Sequence, residues 1–186
     1  MTEKRHPLRG HHNNNPEDIG FIALLREDFQ THGNALFSQG FWAVFWHRFG
    51  NWRMGIRPRV LRFPFTLTYR IGAKLTQWLC GIDLPYSVPL GRRVRIDHFG
   101  GMILVAESIG DDVVIRQNTT FGIARVDRLH DRPRIGNRVD IGAGAVIIGA
   151  IAIGDGAVIG ANAVVTHDVP EGAIMAGVPA RQIGQT

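Results

Sequence analysis

From Leu90 onward, large apolar side chains return at every sixth position: Leu90, Ile96, then after one extra residue Ile103, Ile109, Ile115 and Phe121. The register breaks there and resumes with Ile135, Ile141, Ile147, Ile153, Ile159 and Val165. The next residue is often glycine, as at Gly91, Gly110, Gly122, Gly136, Gly142, Gly154 and Gly160. The fourth residue on is small or β-branched, as at Val113, Thr119, Val139, Ala145, Ala157, Ala163 and Val169. A period of six matches neither the alternation of a strand nor the 3.6 of a helix, so it calls for a solenoid of short strands and turns. Three hexads close one triangular coil of about 18 residues, with the apolar position inward and glycine permitting a tight corner. The pattern fails over residues 122–134, GIARVDRLHDRPR, which is too polar for a prism interior. That segment is expected to project as a loop, the kind of place where binding residues gather.

Upstream the pattern is helical. Asn15-Pro16-Glu17-Asp18 reads as a helix start followed by FIALLREDFQ. Phe41, Trp42, Phe45, Trp46 and Phe49 share one broad face of a second helix, and a third runs from about Phe65 to Cys80. These aromatics, with Trp52, Arg53, Arg57 and Arg59, fit packing among the helices and against a neighbouring subunit, or a basic amphipathic surface resting on a membrane. Packing is the preferred reading. Residues 1–15 read as a mobile tail, and its His6, His11 and His12 as solvated rather than metal-bound. The expected division is therefore a tail at 1–15, a short α-helical extension at 16–82, and a mainly β solenoid at 83–186 with the loop 122–134.

Composition narrows this picture only a little. With 45% hydrophobic and 20% charged residues, the chain is not wholly disordered, and 186 residues suffice for one core with an extension. Lys and Arg outnumber Asp and Glu by 21 to 16, mostly around Arg48–Arg70 and Arg92–Arg95. Such patches suit a phosphate-bearing partner: coenzyme A, a nucleotide sugar or an anionic membrane. No nucleic-acid partner is expected. The single Cys80 excludes an internal disulfide and a cysteine metal cluster. No apolar run reaches the roughly 20 residues that span a bilayer, and MTEKRHPLRGHHNNN has no apolar segment behind its charges. The expected location is the cytoplasm, including the inner membrane surface.

Four stretches then carry a resemblance over residues 81–184: GIDLPYSVPLGRRVRIDHFGG, IGDDVVIRQNTTFG, RPRIGNRVDIGAGAVIIGAIAIGDGAVIGANAVV and DVPEGAIMAGVPARQIG. The chain resembles the serine acetyltransferase family of hexapeptide-repeat acyltransferases, and within it the shorter members of polysaccharide biosynthesis such as colanic acid acetyltransferases. The resemblance implies a left-handed parallel β-helix, a hand the repeat itself leaves open. It also implies a homotrimer with acetyl-CoA as co-substrate and active sites in grooves between adjacent prisms. By it, His98 matches the catalytic histidine, Asp83 its carboxylate partner and Asp97 an acceptor-site acid. Ala143 and Ala161, beside Gly142 and Gly160, match positions that contact coenzyme A, and Pro179 and Arg181 a segment close to it. The family carries Asp-Arg-His-Pro in the projecting loop, where this chain has His130-Asp131-Arg132-Pro133. His130 and Arg132 are the candidates to compensate.

The chemistry agrees with these residue types. A thioester is already activated, so the enzyme must chiefly supply a base for the acceptor hydroxyl, and imidazole suits that task near neutral pH. Asp83, 15 residues before His98, is expected about one rung away, roughly 5 Å, where a carboxylate would steady the imidazolium. Ala143 and Ala161, like Gly142 and Gly160, are 18 residues apart and should stack into a shallow groove for pantetheine. The same spacing also fits a purely structural corner. The altered loop tips the expected acceptor toward a sugar hydroxyl of a cell-surface polysaccharide, with serine O-acetylation as the alternative. No metal is expected, because a γ-carbonic anhydrase would need His98, His130 and His167 to converge on zinc, and their spacing does not suit it. A non-enzymatic scaffold would need neither the Asp83 and His98 pair nor the loop.

Overall fold

The computed structural model describes residues 12–186; the histidines His6 and His11 and most of the expected tail lie outside that range. Residues 14 and 15 are held against the second helix: the Asn14 amide donates to Asn51 Oδ1 at 3.1 Å and Asn15 Nδ2 to the Arg48 carbonyl at 3.0 Å. Asn15 is therefore spent on a tertiary contact and caps no helix, and the first helix, α1, starts later, at Phe21–Thr31 behind Gly20. α2 (Gln39–Trp52) is capped by Ser38, whose hydroxyl accepts from the Phe41 amide. A 3₁₀ turn, Arg53–Gly55, leads to α3 (Arg59–Cys80), which ends at Gly81 in left-handed conformation. α3 begins six residues earlier than its apolar pattern suggests.

The α2 aromatics pack rather than face solvent. Phe41 is buried, and Phe45, Trp46, Phe49, Trp52 and Phe65 join in a chain of ring contacts with centroids 5.1–6.4 Å apart. Gly72 of α3 lies directly on the Trp46 ring with no room for a Cβ. Arg53 sits between the rings of Tyr69 and Tyr86, 4.6 Å from each centroid, a cation–π arrangement suited to a desolvated guanidinium.

The remainder winds as a parallel β-helix with three faces. The first face stacks β1 (Ile82–Asp83), β3 (Met102–Leu104), β6 (Thr120–Gly122), β9 (Val146–Ile148) and β12 (Val164–Val165). The second stacks β4 (Ser108–Ile109), β7 (Arg134–Ile135) and β10 (Ala152–Ile153), extended by bridges at Leu90 and Val169. The third stacks β2 (Arg95–Asp97), β5 (Val114–Arg116), β8 (Asp140–Ile141), β11 (Val158–Ile159) and β13 (Ala173–Ala176). β14 (Arg181–Gln185) turns back antiparallel on β13 and closes the stack. Register places Ile96, Ile115, Ile141, Ile159 and Met175 above one another, so one inward ladder runs the length of the face. Each such aliphatic side chain contributes about 1.5–3 kcal/mol on burial.

Eleven of the twelve expected inward positions are buried; Ile103 is 48% exposed. Met102 and Leu104 face the core in its place, at 1% and 0%. The extra residue lies in a widened corner at His98–Gly101, and alternation within β3 then turns Ile103 outward. The repeat glycines also act differently from expectation. The left-handed corner residues are others, including His98, Asp112, Asn118, Arg138, Gly144 and Asn162. Gly110 and Gly142 are small because the next coil's backbone lies against them: a Cβ would come within 2.6 Å of the Gly136 carbonyl oxygen and 2.5 Å of the Ala161 nitrogen.

Buried polar bonds lock the extension to the first coil. Arg48 and Asp28 are fully buried and paired at 3.0 Å, and Arg48 also donates to the carbonyls of Leu90 at 2.8 Å and Gly91 at 2.6 Å. His32 donates from Nδ1 to the Asp28 carbonyl at 2.7 Å, so its Nε2 accepts the Ile96 amide at 3.2 Å. His47 Nε2 donates to the Val88 carbonyl at 2.8 Å.

Candidate active site

Three turns of the solenoid put most of the candidate residues on one edge, where the third face turns into the first. His98 directly follows β2, Ala143 follows β8 and Ala161 follows β11. Asp97 pairs with Arg116, so His98 and Gln117 leave the face side by side. Gly144 donates to the Gln117 carbonyl at 2.9 Å and Asn162 to the Ala143 carbonyl at 2.8 Å, which continues the stack upward. From His98 to Ala161 is three rungs, about 14 Å. Val164 accepts from Ala180 and donates to Gly177, which brings the Gly177–Pro179 segment to the upper end of the same edge.

His98 is exposed, with a backbone φ of +68°. The left-handed region is open to histidine, asparagine and aspartate more readily than to other side chains. Within the described residues no hydrogen bond holds its ring. Asp97 is half-buried and accepts from Arg95 Nε at 2.6 Å. Ala143 is half-buried and Ala161 exposed, so the ladder of small residues is open to solvent between the edges of its rungs. Pro179 is exposed, as is Arg181, whose Nη1 donates to the Ala180 carbonyl.

Asp83 is not stacked on His98. Ile82 pairs with Met102 and Asp83 with Ile103, so the first coil takes 20 residues and the carboxylate lands on the first face. The widened corner is again the reason: its additional residues carry the chain past the point where a regular coil would have returned. Asp83 there lines a cavity of about 330 Å³ between α2, α3 and β1, together with Trp46, His47, Tyr69, Arg70 and Lys74. Burial raises the Tyr69 hydroxyl's pKa, while Arg53 opposes the shift.

Residues 123–133 form the segment between β6 and β7, without strand structure. It leaves from a different edge, where the first face turns into the second, so His130 and Arg132 do not meet His98 within one chain. His130 is exposed, and Arg132 Nε is buried without a partner. Among the described residues no three His, Cys, Asp or Glu side chains gather closely enough to hold a metal.

One residue escaped the sequence reading. Gln117 lies beside His98 on the same edge, and its Oε1 is buried without a partner. The signal was present: Gln117 stands two positions after inward Ile115, as Ala143 does after Ile141 and Ala161 after Ile159. The loop insertion before Ile135 hid that equivalence.

The chain is similar to known transferases. Residues 132–167 match the family described as bacterial transferase hexapeptide (six repeats). The chain is 38% identical over 148 residues to a protein of Mycobacterium tuberculosis named serine acetyltransferase, covering 79% of this chain and 62% of that protein. It is 38% identical over 120 residues to the serine acetyltransferase of Helicobacter pylori (strain J99), covering 64% and 70%. The Bacillus subtilis serine acetyltransferase is 30% identical over 177 residues, covering 89% and 78%. Among solved structures, serine acetyltransferase of Brucella abortus in complex with coenzyme A superposes with a TM-score of 0.74 at 26% identity, covering 96% of this chain and 80% of that one. This chain thus spans less than two thirds of the Mycobacterium protein's length and more of the other relatives.

Proposed function

The chain belongs to the serine acetyltransferase family, and from that premise we propose that it transfers acetyl from acetyl-CoA to the hydroxyl of serine. The observation that carries the reading is the single edge on which His98, Gln117 and the Ala143–Ala161 ladder lie. Pantetheine would run along the open ladder, and one of its amide N–H groups would satisfy the orphaned Gln117 Oε1. Coenzyme A in the solved relatives supports this donor.

In the proposed reaction the hydroxyl oxygen attacks the thioester carbonyl as His98 accepts the hydroxyl proton. The tetrahedral oxyanion collapses, the C–S bond breaks, and the imidazolium returns its proton to the leaving thiolate. Asp97 lies next in sequence to the base, where a carboxylate suits the ammonium group of an amino acid acceptor. The hexapeptide match and the superposed relatives support a left-handed winding and a homotrimer. In a trimer the loop edge of one prism would face the His98 edge of another, which would bring His130 and Arg132 into the site from the neighbouring subunit.

The loop difference, His130-Asp131-Arg132-Pro133, favours a sugar hydroxyl as a second reading, since a lost partner for the amino acid weakens its binding. The relatives named above support serine and give that preference no support. The test is thiol release from acetyl-CoA by the purified protein with L-serine and, in parallel, with nucleotide sugars. Saturable release with serine is expected. Release with a sugar and none with serine would transfer the proposal to the second reading, and none with either would end it.

A further inference from the structure

No acidic residue occurs between Asp28 and Asp83, while Arg48, Arg53, Arg57, Arg59, Arg62, Arg70 and Lys74 all fall in that interval. The other basic cluster is neutralised within the fold: Arg92 pairs with Glu27 and Asp18, Arg93 with Asp112 and Arg95 with Asp97. Arg48 is consumed by Asp28 and Arg53 by two tyrosine rings. Arg57, Arg59, Arg62, Arg70 and Lys74 meet no carboxylate among the described residues. Among the described residues, a run of cations without carboxylate partners therefore lies on α3 and just before it.

The same helix exposes an apolar face. Gly72 and Thr76 point to α2 and are buried. On the opposite side Val60, Pro64, Leu67, Ile71, Leu75 and Trp78 follow one another at spacings of three and four, a single stripe along the helix. Val60 is 83% exposed, Ile71 54% and Trp78 74%. Arg59, Phe63, Arg70 and Lys74 line one flank by the same helical geometry.

We propose that α3 lies flat on the surface of an anionic phospholipid bilayer, with the stripe among the acyl chains and the flanking Arg59, Arg70 and Lys74 on lipid phosphates. Apolar residues flanked by Arg and Lys, with Trp and Phe at the boundary, form the pattern of an interfacial helix. No helix among the described residues is long and apolar enough to cross a membrane, so the contact is peripheral. The charge argues against the same face of a second copy as the occupant, because pairing this face with itself would bring cations together without a carboxylate to meet them. The proposal is independent of the acceptor's identity and would hold for either reading.

The test is co-sedimentation of the full chain with vesicles of phosphatidylglycerol and phosphatidylcholine against phosphatidylcholine alone. Binding is expected to the anionic vesicles, with a blue shift of tryptophan emission that Trp78→Phe removes. Replacing Arg59, Arg70 and Lys74 together by Gln should weaken binding by about 100-fold, from roughly fivefold per cation at a membrane surface. Leu67→Glu with Ile71→Glu should abolish binding while oligomeric size by light scattering and acetyl transfer stay unchanged. Failure of the wild-type chain to bind anionic vesicles overturns the proposal. So does a Leu67→Glu/Ile71→Glu variant that splits into smaller species, since another copy would then cover the stripe.

Discussion

Replacing Arg48 by Met tests whether the buried ionic link between α1, α2 and the first coil sets the stability of the whole molecule. The substitution keeps length and apolar volume but removes four hydrogen bonds, two to Asp28 and one each to the carbonyls of Leu90 and Gly91. Asp28 is 0% exposed and would be left as a buried carboxylate without its cation. Breaking such a pair from one side costs about 3–5 kcal/mol. The orphaned carbonyls add to that, while protonation of Asp28 relieves part of it. Burial already pushes the Asp28 carboxyl up against the pull of Arg48. Without the arginine its folded-state pKa rises further above the unfolded value, so the folded state binds the extra proton and the penalty shrinks as pH falls from 7 toward 5. Urea unfolding at fixed protein concentration should show a loss of about 4 kcal/mol at pH 7, with a fall in Tm of about 10 °C for a chain of this size. Asp28→Leu combined with Arg48→Met should recover most of the loss, because no unpaired charge remains. A loss below about 1 kcal/mol, or a double variant no better than the single one, would refute the reasoning.

His98→Ala should lower turnover by roughly 100- to 10,000-fold with coenzyme A binding retained, and Asp83→Asn should cost less, because that carboxylate stands on the neighbouring face; steady-state kinetics and calorimetry separate the two effects. Ala161→Leu should fill the open ladder and weaken coenzyme A affinity while leaving oligomeric size intact, and unchanged affinity would place the cofactor on another edge. Acid should destabilise the fold through His47, whose pKa full burial pushes down to about 3. The unfolded chain takes up that proton near pH 6.5 and the folded one does not, so stability falls by about 1.4 kcal/mol per pH unit between pH 6.5 and 3. His32, lowered in the same sense by its burial, adds to the slope, and urea midpoints at pH 7, 6 and 5 that do not fall would contradict it.

The six-residue ladder was legible in the sequence because stacked coils repeat one environment at a fixed spacing, and each repeat must present an aliphatic residue to the same core. Leu90, Ile109, Ile135 and Ile153 are the same position one coil apart, and no distant contact is needed to recognise them. The break at the loop was legible for the same reason, as a failure of that environment. What the repeat does not encode is where an irregular corner adds length. The extra residue was visible, but only the strand pairing shows that it widens the His98–Gly101 corner, turns Ile103 outward and carries Asp83 onto the first face. Pairings across long separations were equally invisible: Asp28 with Arg48, and His32 with the Ile96 amide, each join elements whose approach depends on how the helices dock. Docking also decided which helix face meets solvent. By composition the aromatic face of α2 was as good a surface as the stripe on α3, but the α2 rings are covered by α1 and by the inner face of α3, whereas the outer face of α3 meets no other element of the chain. Periodicity reports that a face is apolar; only the tertiary arrangement determines what, if anything, covers it.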